Sequence, residues 1–232
     1  MRCDRLAFLC FLLPCGVIAA CFLLSTHLEQ IPVCFPFLTG CTSISAAARQ
    51  DPAIHLFRTI MLPLTTALAG FWVITRVWLR RLDPDMRSVN VLTVLGITGA
   101  VFLVLYVVFL GTQGTVYGWL RRFGTTLYFG GTGLAQLLLA ARLHEYNQRT
   151  EPPPFPKRLV RIFLWICVSM LTMGLVYIPA AHAFRAFKVE NIIEWNFAFL
   201  LHINFALVSL IWSRQHLTLH LNTPHAPENK PR

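Results

Sequence analysis

The sequence predicts an all-α, polytopic membrane protein, a bundle of six transmembrane helices in one domain spanning residues 1–232. Three observations carry that prediction. Charge-poor apolar runs of about 20 residues recur, the length needed to cross a hydrocarbon layer roughly 30 Å thick. The composition is 56% hydrophobic and only 13% charged, with 18 Phe, where a soluble domain is about 25% charged. The basic residues gather between alternate runs, as retention on the cytosolic side requires. So little polar surface cannot cover a water-facing protein, so much of the exterior faces lipid. The net charge of +10 then reads as loop charge, and no nucleic-acid partner is implied.

The first span covers about 6–24 and follows the charged start "MRCDR". That start and the "IAAC" at 18–21 also resemble a signal peptide with a lipoprotein cleavage box. Cleavage there would leave five spans, whereas the distribution of positive charge fits an uncleaved first helix without adjustment. The connection from Ser25 to His55 is too apolar for a freely solvated loop. Phe35, Phe37, Leu38 and Ile44 are expected at the membrane interface, and "TSISAAARQ" as a short helix with Ser43 or Thr42 as N-cap. The segment reads as a lid over the bundle's outer mouth. Cys34 and Cys41 within it can close a small disulfide ring if the compartment is oxidising; the other cysteines sit in or beside spans as small apolar residues.

The second span, about 56–79, contains Arg58 just inside its start, where a cation must snorkel or find a partner. The third, about 89–110, carries no charge. The fourth, about 125–141, is shorter and holds Gly130, Gly131 and Gly133, which let a neighbouring backbone come close. A stiff, proline-rich connection, "RTEPPPFPKR", precedes the fifth span at about 160–181. The sixth covers about 192–212, leaving 213–232 as a cytosolic tail. Sorting basic residues by side places about 14 with both termini and about 6, including Arg49, Arg58, Arg121 and Arg122, on the other side. Both termini are therefore expected in the cytosol, in a bacterial inner membrane or a eukaryotic endomembrane or plasma membrane.

Ionisable groups within a span are the natural candidates for function. Glu194 opens the sixth span and His202 lies deeper, about 80° around the helix and about 12 Å along it. Asn191 extends the Glu194 face outward, while Asn196 points elsewhere. Such a polar track suits proton transfer or a lipid headgroup. The plainer alternative is an Arg58–Glu194 pair that only tethers spans two and six, with His202 as a hydrogen-bonded packing residue. Likewise Thr42, Ser43 and Ser45 cap local backbone, or Ser43 or Ser45 is a headgroup contact or nucleophile. His216 and His220 have helical metal-pair spacing but no carboxylate between them, so neither metal nor cofactor is expected. "FGGTG" at 129–133 lacks the strand and lysine of a nucleotide loop.

Two stretches together resemble the six-span DRAM/Frag/Sfk family, most closely its GPI-anchor lipid-remodelling branch. "TSISAAARQDPAIHLFR" (Thr42 to Arg58) is similar to that family's first non-cytosolic loop, and "ENIIEWNFAFLLH" (Glu190 to His202) to its final span. The loop departs from the branch in reading "AARQD" where a glycine-containing form is usual. The resemblance implies a six-helix bundle that binds, remodels or organises membrane lipid at the non-cytosolic leaflet. Ser43, Ser45, Pro52, Arg58, Glu194, Trp195 and His202 stand at the matching positions. Glu194 and His202 are then candidate catalytic groups, and Ser43, Ser45, Arg58 and Trp195 candidate lipid contacts. A non-enzymatic scaffold, in which these groups only hold the bundle, is the competing expectation. A transporter would call for repeats or broken helices, which the sequence does not display.

Overall fold

The computed structural model describes residues 2–183 and 188–218. Among them the chain is all-helical. Six helices are long: α1 (Cys3–His27), α4 (Ala53–Leu82), α5 (Val89–Phe109), α6 (Thr115–Arg149), α7 (Lys157–Ala183) and α8 (Val189–Arg214). Two short ones, α2 (Pro36–Thr39) and α3 (Ile44–Ala48), lie in the connection after α1. Each predicted span lies in one long helix, the third passing the end of α5 by one residue.

Five of the six long helices, all except α6, are long and apolar enough to cross a membrane. This is consistent with a multi-pass integral membrane protein. α6, which holds the fourth predicted span, falls short of that measure. The reason lies in the inward face of α6, where Tyr128, Thr132 and Gln136 are buried. The Gln136 amide donates to the Leu201 carbonyl at 3.0 Å, and the Asn204 amide donates to Gln136 Oε1 at 3.0 Å. Tyr128 and Gln136, bonded to α8, and the buried Thr132 thus lower the hydropathy of α6 without facing lipid. The helix also overruns the predicted 125–141 at both ends, because Arg121, Arg122 and Arg142 end the apolar run but favour the helix.

The long helices form a ring in chain order, each packed on the next, closed by α1 against α8. At that closure the Cys3 N–H donates to the Leu217 carbonyl at 3.1 Å and the Ser209 hydroxyl to the Asp4 carbonyl at 2.8 Å. α5 and α6 make the closest pair. A Cβ placed on Gly131 would lie 2.8 Å from the Leu95 oxygen, and one on Gly124 2.7 Å from the Tyr106 nitrogen, so small residues are what allow that approach. Gly130 and Gly133 behave otherwise. Gly130 has nothing within 4 Å and Gly133 meets only the Phe197 and Met170 side chains. Large apolar side chains such as Phe8, Leu12, Val94, Trp165 and Leu210 stay exposed around the ring, as a lipid-facing surface requires.

The connection between α1 and α4 folds over one end of the bundle. Ser43 caps α3 by accepting from the Ala46 N–H at 3.0 Å, and Cys34 and Cys41 are joined by a disulfide. The Ser25 hydroxyl donates to the Ala47 carbonyl at 2.8 Å, tying α3 to α1. Ile31, Ile44, Ala47, Trp195 and Ala198 make a small separate core beneath this lid. Ile44 therefore leaves the interfacial set expected for it, while Val33, Phe35 and Leu38 remain well exposed. At the opposite end, Asn147 both donates to and accepts from the Phe155 backbone at 3.1 Å, holding the proline-rich connection against the bundle.

Candidate functional site

The lid is strapped to the first turns of α8 by three side-chain amides or indoles. Asn191 donates to the Gly40 carbonyl at 2.7 Å, Trp195 Nε1 to Thr42 at 2.9 Å and Asn196 to Phe37 at 2.9 Å. Glu194, on the same turns of α8, also reaches the lid. Its carboxylate meets the backbone N–H groups of Ile44 and Ser45, donors that the first turn of α3 leaves free. The Arg49 guanidinium adds positive potential there and Glu190 negative.

Beside this contact lies a cavity of about 830 Å³, bounded by the lid, α5, α6, α7 and α8. Ser43, Ser45 and Glu194 line it, and the two serine hydroxyls are 3.1 Å apart. Its α6 wall carries Arg121, Arg122, Thr125 and Thr126; its α8 wall carries Glu190, Asn191 and Glu194. Phe129, Gly174 and Phe197 line this cavity and also an apolar groove of about 240 Å³ that follows α6 and α7 past Gly130, Gly133, Leu137 and Met170. A polar chamber and an apolar groove thus share a common border.

His202 sits below. It is buried at 2% exposure, its Nδ1 2.6 Å from the Ala198 carbonyl and its Nε2 3.2 Å from the Tyr128 hydroxyl. A carbonyl only accepts, so Nδ1 carries the hydrogen, and in the neutral ring Nε2 accepts from Tyr128. Glu194 and His202 do line one small pocket of about 20 Å³, together with Tyr106, Tyr128 and Phe129. The common face expected for them is present, but both ring nitrogens of His202 are already engaged.

Arg58 and Trp195 stand apart from the cavity. Arg58 donates to the carbonyls of Val107, Val108 and Leu110, at 3.4, 3.0 and 2.7 Å, and so caps the C-terminal end of α5. Among the described residues it makes no ion pair, and the expected tether to Glu194 is replaced by this cap. Trp195 is buried with edge contacts to Phe22 and Phe37. Pro52 precedes α4, at the other side of the lid.

Sequence reasoning entered Arg121 and Arg122 only as topological charge and passed over Tyr106 and Tyr128. The available signal was an Arg–Arg pair followed within one turn by Thr125 and Thr126 at the head of the most polar predicted span. Among the described residues no group of three or more His, Cys, Asp or Glu is placed to hold a metal ion. His220 and His225 lie outside the described residues.

No protein-family model, no curated protein and no solved structure matches this chain.

Proposed function

We propose that the chain is a six-span membrane protein of the DRAM/Frag/Sfk type that binds membrane lipid at the non-cytosolic leaflet, with α6 as its fourth span. The observation that carries the reading is the shared border between the polar chamber and the apolar groove, which matches a lipid's headgroup and acyl chain. The orientation is supported by charge. Arg80, Arg81, Arg87, Arg142, Arg149, Lys157, Arg158, Arg161 and Arg214 lie at the end away from the lid, the side that positive-inside retention makes cytosolic. The lid disulfide suits the other compartment.

Binding, rather than covalent chemistry, fits the polar groups best. The Ser43 hydroxyl accepts the α3 cap and touches Ser45, His202 is held by Ala198 and Tyr128, and the Glu194 carboxylate takes the Ile44 and Ser45 backbone N–H groups rather than a serine hydroxyl. The scaffold reading applies to individual residues: Arg58, Trp195 and His202 each hold two elements together.

The test is native mass spectrometry with lipidomics on protein extracted in mild detergent, comparing the parent with Gly133→Leu and His202→Ala. One lipid class co-purifying with the parent, lost on filling the groove and kept by His202→Ala, supports the reading. No specific lipid in the parent, with both variants only losing thermal stability, discards it.

A further inference from the structure

The cavity walls differ in sign. Arg121 and Arg122 stand on the α6 wall, Glu190 and Glu194 on the α8 wall, one turn apart on a single face. Among the described residues none of the four belongs to an ion pair, so the guanidiniums and carboxylates face one cavity without closing on each other. Opposed charges across a chamber, with Glu194 partly taken by the Ile44 and Ser45 N–H groups and Glu190 exposed one turn away, suit a ligand that carries both signs.

Resting on the lipid reading above, the geometry points to a phospholipid whose headgroup joins a phosphate to a primary ammonium, the ethanolamine type. Two adjacent guanidiniums supply the planar, multiply donating surface that phosphate oxygens take. The carboxylates accept from an ammonium that has N–H groups to give. A quaternary ammonium has none and would depend on open aromatic faces. Here Phe129 and Phe197 pack edge to face on each other, centroids 5.5 Å apart, where the chamber meets the groove. A purely anionic headgroup gains the arginines but brings its charge against Glu190 and Glu194. The acyl chain continues along Gly130 and Gly133, whose missing side chains leave the groove open.

The experiment is native mass spectrometry of the full chain in detergent with an equimolar mixture of four dioleoyl lipids: phosphatidylethanolamine, phosphatidylcholine, phosphatidylglycerol and diacylglycerol. The expected result is ethanolamine lipid retained about tenfold over the choline and glycerol lipids, the scale of one charge-assisted hydrogen bond. Arg121→Gln with Arg122→Gln then reduces it to the diacylglycerol level. Glu190→Lys, at an exposed position, moves the preference to phosphatidylglycerol, a gain that a misfolded variant cannot give. Phosphatidylglycerol bound as well as the ethanolamine lipid by the parent, or charge variants that leave ethanolamine retention unchanged, overturns the assignment. Equal retention of all four lipids, lost together in Gly133→Leu, overturns it while the lipid reading stands; retention of none removes both.

Discussion

The Tyr128 hydroxyl meets His202 Nε2 at 3.2 Å in the buried centre, joining α6 to α8. With Nδ1 fixed on the Ala198 carbonyl, this contact gives Nε2 its hydrogen-bond partner. Tyr128→Phe leaves that acceptor unpaired and is expected to destabilise by about 1–3 kcal/mol. Thermal unfolding in detergent should fall by roughly 2–10 °C, with lipid retention unchanged. Lipid lost at unchanged stability would instead make the pair part of the binding surface.

Arg58 acts on α5. Arg58→Met removes its donors to Val107, Val108 and Leu110 and is expected to destabilise by about 1.5–3 kcal/mol, as loss of charged hydrogen bonds does. Because Arg58 and Glu194 are not partners, combining Arg58→Met with Glu194→Gln should give additive losses, within about 0.5 kcal/mol. A double-mutant cycle measured by thermal unfolding checks this; a larger coupling restores the tether.

The glycines of α6 should divide by position. Gly131→Leu forces a side chain into the Leu95 backbone and should destabilise by about 1–3 kcal/mol or more. Gly130→Ala meets nothing and should be neutral or gain up to about 1 kcal/mol of helix propensity. The comparison is one melting experiment on two neighbouring residues.

The lid disulfide closes a short loop, with a sequence separation of 7 between Cys34 and Cys41. Chain entropy for a loop of that size gives roughly 2 kcal/mol, so Cys34→Ala with Cys41→Ala should lower stability by that order. Reductant should shift the parent by a similar amount and leave the double variant unmoved. Mass mapping under non-reducing conditions identifies the linked peptides.

The apolar runs made five spans legible, because lipid-facing composition is a local property. The polar fourth run was legible only as a position, since Tyr128 and Gln136 reveal their inward aim only when α8 is beside them. Helix ends overran the predicted limits in α1, α4 and α6, because charge marks where the hydrocarbon stops while the helix continues into water. Helical spacing put Glu194 and His202 on one face, and they do share a pocket. The partners of Arg58 are backbone carbonyls, which no side-chain pattern records. Arg121 and Arg122 gained meaning only when the fold set them across from residues 43–45 and 190–194.

The straps between lid and α8 have a consequence for how the molecule is made. Gly40 leaves the ribosome long before Asn191, its partner across 151 residues. Through most of synthesis the lid has nothing on which Asn191, Trp195 and Asn196 can hold it, and α1 lacks one of its two ring neighbours. The chamber is therefore completed only when the last described helix is inserted. A nascent chain halted before α8 cannot present the finished chamber.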